Sequence, residues 1–184
     1  MPLFFRDDAD DRLLARIAEG DEAAFRTLMD RHLDRAFGLA QRILGSRSDA
    51  EDVVQDAFLK VWDRAESWRP GEAKFSTWLW RVVTNRCLDL HRRPRHEALE
   101  AVPEPQDPAE DVVSSIAAGQ EERRLKAAMA DLPERQRAAL ALIYETGLSN
   151  AQAAEVLGIS VGALEQLLVR AKRSLRGRLQ EETE

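Results

Sequence analysis

Gly162, Gln166, Arg170 and Arg173 recur at steps of four, four and three residues, so an α-helix would carry them in one stripe. A side-chain amide can donate and accept at a base edge, whereas guanidiniums fit phosphate oxygens. Gln166 is therefore a candidate base reader. Arg170 and Arg173, with Lys172, Arg176 and Arg178 beyond them, are candidate phosphate contacts that fix position without reading sequence. A second stripe, Trp78, Arg81, Asn85, Asp89 and Arg92, combines an aromatic ring, an amide and two guanidiniums. Such a face could hold a nucleic acid backbone while an unstacked base meets the amide or a nearby pocket. The chemistry in both stripes is recognition rather than bond making.

The first stripe needs a helix presented at an angle, and the local sequence supplies one. In the stretch 148–173, Ser149 can cap a short helix, Gly158 can take the left-handed backbone that leaves it, and Ser160 can cap the next. Ala153, Ala154, Leu157, Ile159, Leu164 and Leu167 fall where the two helices must touch, which is the register of a helix-turn-helix. Val161, Leu164, Leu167, Leu168, Ala171 and Leu175 form the inner side of the second helix. The second stripe lies on a helix expected from Ser76 to about Arg93, stopped by Pro94, with Leu79, Val82, Val83, Cys87 and Leu90 inward. Trp80 completes a bundle on this reading, and Trp78 fits either the bundle or a ligand.

Upstream, Asp21 can cap a long helix whose apolar residues, from Phe25 through Leu28, Met29, His32 and Leu33 to Leu44, repeat at helical spacing until Gly45. Ser48 and Glu51 have the spacing of a capping box before the stripe Ala50, Val53, Val54, Ala57, Phe58, Val61 and Trp62. A short helix is expected around Arg12 to Glu19, and the break falls at Arg69-Pro70-Gly71. A further helix from near Glu121 to Asp131 and one that Pro133 opens in its first turn would pack Leu125, Met129, Leu132, Ala139, Leu140, Leu142 and Ile143 beneath the helix-turn-helix.

Few aromatics and an excess of Ala, Leu, Glu and Arg make the chain all-α. Its 184 residues divide into an N-terminal helix bundle (1–96), an acidic linker carrying Pro103, Pro105 and Pro108 (97–120), and a four-helix domain with the helix-turn-helix (121–184). The net charge of −6 hides two reversals of sign. Residues 74–96 hold six basic side chains against one acidic, and residues 163–178 hold five against one. Between them, residues 97–122 hold eight acidic side chains and no Lys or Arg. Two separate basic surfaces on an acidic tether are expected.

Cys87 is the only cysteine, so neither an internal disulfide nor a Cys-based metal site is expected, and its inward position suits an inert core thiol. His32 sits on an apolar helical face and reads as a core or boundary residue. No glycine-rich phosphate loop, nucleophile elbow or carboxylate pair in a concave context occurs, so no catalytic residue, metal or cofactor is expected. No apolar run approaches a membrane span, and the N-terminal MPLFFRDDADD is too acidic and short for a signal peptide, which points to the cytoplasm.

The segments Asp52-Val53-Val54-Gln55-Asp56-Ala57-Phe58 and Phe75-Ser76-Thr77-Trp78-Leu79, then Asn85, then the helix-turn-helix, resemble in order and spacing the extracytoplasmic-function group of bacterial RNA polymerase sigma factors, from about Asp21 to Leu179. The resemblance implies that Asp52, Gln55 and Asp56 meet the polymerase clamp. It implies that Arg81, Asn85 and Arg92, with Trp78 beside them, approach the downstream promoter element, the loop from Trp68 to Phe75 shaping a pocket for a flipped base. Gly162, Gln166, Arg170 and Arg173 would approach the upstream element. It further implies core polymerase and promoter DNA as partners, an anti-sigma factor that covers the polymerase-binding surfaces, a linker threaded through the polymerase, and a monomer within the holoenzyme. Gly162-Ala163-Leu164-Glu165-Gln166 departs from the Thr-Val-Lys-Ser-Arg-like opening of many relatives, and two basic residues common in the group are missing. The alternative is a stand-alone helix-turn-helix regulator with an N-terminal dimerisation or sensing bundle, which would need a palindromic operator.

Overall fold

Several of the helices begin or end at a residue whose chemistry fits that role. In the computed structural model, which describes residues 8–92 and 124–181, Asp21 accepts from the Ala24 amide at 3.0 Å and opens α2 (Glu22–Leu44). Gly45 closes that helix at φ 74°, its amide donating to the Gln41 carbonyl at 2.8 Å. Before it runs α1 (Asp8–Ala18), and after it α3 (Arg47–Arg64), a short 3₁₀ turn and α4 (Phe75–Arg92). Residues 124–130 form α5, followed by α6 (Glu134–Tyr144), α7 (Asn150–Leu157) and α8 (Val161–Glu181). No strand occurs among the described residues, so the chain is all-α. The expected linker, 97–120, lies outside them.

Two local expectations are corrected. The cap of α3 is Ser46, not Ser48: the Ser46 hydroxyl accepts from the Asp49 amide at 3.3 Å, and Glu51 instead pairs with Arg47 at 3.0 Å. Starting two residues earlier places the cap directly after Gly45 and frees Glu51 for an i,i+4 ion pair. Pro133 stands just before the first helical residue of α6 rather than within its first turn.

The larger difference is how the two halves meet. The inward residues of α4, Leu79, Val83 and Cys87, are buried with Trp80 among α2 and α3. The apolar core does not end there, because α6 lies against α2 and α7 against α4. The two halves are thus packed against each other among the described residues, a contact the sequence did not predict. A small residue permits this approach, Gly38 of α2 facing Glu145 at the end of α6. A Cβ at Gly38 would stand 3.0 Å from the Glu145 carboxylate.

Polar contacts lock the seam. Arg137, only 7% exposed, donates to the Ile43 carbonyl at the end of α2 (2.8 Å) and to the carbonyls of Ala130 (2.6 Å) and Leu132 (3.0 Å). It fills orphan acceptors that a helix end otherwise leaves to water. Arg42 pairs with Glu145 at 2.8 Å, and Arg81 with Glu155 at 3.0 Å.

At the far side, α1 is bolted down by Asp10 and Asp11. Buried Asp10 accepts from Arg31 (2.9 Å) and His32 Nε2 (2.8 Å), and Asp11 accepts from the Trp68 indole (2.9 Å). Burial alone would raise the Asp10 carboxyl, but the hydrogen bonds and charge of His32 and Arg31 outweigh it and hold the group below its usual 3.8. His32 is thus the boundary residue expected, with its ring edge against Phe75 and Trp80.

Candidate nucleic-acid interface

The helix-turn-helix forms through the three residues singled out for it. Ser149 accepts from the Gln152 amide, while the Gln152 side chain accepts from the Ser149 amide at 3.0 Å, a complete capping box on α7. Gly158 turns the chain at φ 64°, and the Ser160 hydroxyl accepts from the Ala163 amide at 3.2 Å to open α8. The two helices meet at 98°. Ala153, Ala154, Leu157 and Leu164 are buried at their contact, with Ile159 and Leu167 packed beside them.

This bend turns one side of α8 outward. Gly162, Gln166, Arg170 and Arg173 are all exposed, and neither arginine makes an ion pair among the described residues. Lys172 instead lies 5.8 Å from the centre of the Tyr144 ring, and Arg178 pairs with Asp131. Two apolar positions placed inward by the helical count are partly exposed: Val161 at the first turn of α8 and Leu125 on α5.

The α4 stripe is less uniform. Asn85 and Arg92 are exposed, and Asp89 lies between them. Trp78 is half-buried, its ring 5.9 Å from Trp68 and 6.0 Å from Phe75, so it packs on the bundle and borders the exposed loop 69–74. Arg81 points to the helix-turn-helix, where its Nη2 donates to the Glu155 carboxylate (3.0 Å) and more weakly to the Glu155 carbonyl (3.4 Å).

On α3, Asp52 and Gln55 are exposed, whereas Asp56 is tied to Arg86 of α4 at 3.0 Å. Gln55 also borders a groove of 440 Å³ between α2 and α3, floored by Phe25, Met29, Phe37, Val54 and Phe58. Leu33 and Leu59 stand on its rim, Leu59 at 57% exposure. Sequence reasoning counted Leu33 as core and passed over Leu59. The available signal was a leucine standing off the apolar stripe of its helix. Trp62, assigned to that stripe, is partly exposed with its ring edge 5.3 Å from Phe25.

Burial pushes the Cys87 thiol up to about 12, so it is a core group. No cluster of three metal-ligating side chains occurs among the described residues. No single helix there is long and apolar enough to cross a membrane.

A helical bundle is thus followed by a capped helix-turn-helix whose exposed face carries two arginines without an ion pair among the described residues. The models of "Sigma-70 region 2" and "Sigma-70, region 4" match residues 28–97 and 122–175. The chain is 36% identical over 169 residues to the ECF RNA polymerase sigma factor SigE of Mycolicibacterium smegmatis, covering 86% of this chain and 64% of that protein. It thus spans less than two thirds of SigE. It is 30% identical to SigK of Mycobacterium tuberculosis (90% of this chain, 91% of SigK). It is 31% identical to the ECF RNA polymerase sigma-E factor of Haemophilus influenzae (93% and 95%). The solved structure of CnrH in complex with the cytosolic domain of CnrY superposes with a TM-score of 0.70 at 30% identity, covering 94% of this chain and 98% of CnrH. The fold is shared too with the sigma factor RpoE, solved with the anti-sigma factor NepR from Bartonella quintana (TM-score 0.66, 22% identity, 85% and 96%). The chain belongs to the ECF RNA polymerase sigma factors.

Proposed function

We propose that this chain is a promoter-specificity subunit: it docks two DNA-reading units, 1–96 and 121–184, joined by the linker 97–120, on core RNA polymerase and has no catalysis or cofactor of its own. The observation that carries the reading is the α8 face, four exposed residues with two unpaired guanidiniums, on a helix that turns 98° from α7 and has the width a major groove admits. On this reading Gly162, Gln166, Arg170 and Arg173 engage the upstream element. Trp78, Arg81, Asn85 and Arg92 engage the downstream one, and Asp52, Gln55 and Asp56 meet the polymerase. The apolar groove beside Gln55 extends that last surface. It gives polymerase and an anti-sigma factor a common place to compete, in keeping with the protein partner on which CnrH was solved. The protein acts in the cytoplasm, as a monomer within the holoenzyme.

On this reading core polymerase is needed to part the closed seam. While Glu155 holds Arg81, α7 lies against α4 and that guanidinium is engaged within the chain. Two modest basic faces on a chain of charge −6 release few counterions separately, and gain affinity once a larger body fixes their spacing. Run-off transcription over a promoter library, with core polymerase and with or without the chain, tests this. Promoter-specific transcripts are expected only with both. Protection of one palindromic site by the free chain, with no effect of polymerase, would replace the reading with a dimeric regulator.

A further inference from the structure

The outward side of α8 is not simply cationic. Gly162, Gln166, Val169 and Arg173 follow one another at steps of four, three and four, so Val169 completes the stripe between the amide and the guanidinium. It is 53% exposed on the side turned away from the core. Glu165 lies beside it, exposed and without an ion pair among the described residues. Its neighbours one helical turn away are Val161, Gly162, Leu168 and Val169, none of which can neutralise it.

A bare carboxylate brought among phosphates is repelled. What offsets that in a major groove is an exocyclic amine, and a carboxylate characteristically accepts from cytosine N4. An exposed branched apolar side chain has an equally specific counterpart there, the thymine methyl. We propose that Glu165 and Val169 are specificity-determining residues of α8, Glu165 accepting from a cytosine N4 amine and Val169 packing on a thymine methyl. The rise of the helix sets the two side chains about 6 Å apart, roughly one to two base pairs. The upstream element is then read by an acid, an amide and an apolar group, with Arg170 and Arg173 positioning the helix on phosphates. This inference rests on α8 entering a major groove, as the proposed function holds.

The experiment is initiation by reconstituted holoenzyme, with the full-length chain, over promoters randomised in the upstream element. The wild type should enrich cytosine at one position and thymine one to two pairs away. E165Q should lose about fivefold or more of the cytosine preference and keep the thymine, and V169A should do the reverse. Replacing that thymine by deoxyuridine, which lacks the methyl, should lower wild-type initiation about threefold and leave V169A unchanged. Variants that retain the wild-type preferences, or an E165Q that initiates better at all sequences alike, would overturn the assignment while leaving the proposed function standing. Wild-type holoenzyme that initiates nowhere would overturn both.

Discussion

The outward faces of α4 and α8 share a chemistry of amides and guanidiniums and differ in what surrounds them. On α8, Arg170 and Arg173 project into solvent from a helix held by its inner side alone. On α4, Arg81 is drawn onto Glu155 of the very unit that carries α8. The same residue type is thus offered in one place and occupied in the other. The difference lies in tertiary packing, since the helical spacing of both stripes is equally regular.

The strongest way to break this contrast is to loosen the seam. Arg137→Ala would remove the three hydrogen bonds that this guanidinium donates to the carbonyls of Ile43, Ala130 and Leu132, a loss of about 3 kcal/mol on chemical denaturation. It should also expose Arg81. A change within 0.5 kcal/mol, the range of ordinary surface substitutions, would mean that Arg137 does not lock the halves.

Asp10→Asn probes the bolt on the opposite side, sparing α8, and should cost about 2 kcal/mol at pH 7. Because the folded-state pKa of Asp10 lies below 3.8, its stabilisation is fully present above that value and lost as pH falls through the folded pKa. Thermal melts of wild type and variant should therefore converge in acid. A gap that stays constant from pH 7 to strongly acidic solution would contradict this.

Gly162→Ala sharpens the α8 side. A Cβ there meets nothing within 4 Å, so the substitution should stabilise the helix by up to about 1 kcal/mol. Promoter binding by the holoenzyme should nonetheless weaken, because the glycine lets the backbone approach the groove. Tighter binding would remove Gly162 from the interface.

The smallest effect is expected from Glu155→Gln. The Arg81 pair is partly solvated and worth under about 1 kcal/mol. Releasing it should raise the affinity of the free chain for a single-stranded oligonucleotide about two- to fourfold at low salt, with no change in the α8 face. Unchanged affinity would mean that Glu155 does not compete for Arg81.

Local features of this fold were legible because they depend on neighbours in sequence. Asp21, Gly45, Ser149, Gly158 and Ser160 each act through residues two to four positions away, and each helix boundary they imply is present within a residue. The choice of Ser46 over Ser48 was not, since both precede an acidic residue three positions on. The approach of α6 to α2 escaped as well. It depends on Gly38 facing Glu145 and Arg137 reaching Ile43 across 94 positions, and no periodicity within one helix encodes such a pairing. The positions of the candidate site residues on their helices were readable, whereas the engagement of Arg81 and Asp56 by partners from other helices was not.

Cys87 is the one thiol in the chain, and its burial in the bundle, which pushes the thiol up to about 12, should leave it slow toward alkylating and maleimide reagents at neutral pH. The protein is consequently ready for site-specific spectroscopy without first being stripped of cysteine. A pair of surface cysteines, one on α3 and one on the outer turns of α8, would take a fluorophore or spin-label couple and report, as a distance read in real time, whether the two halves part when core polymerase is added.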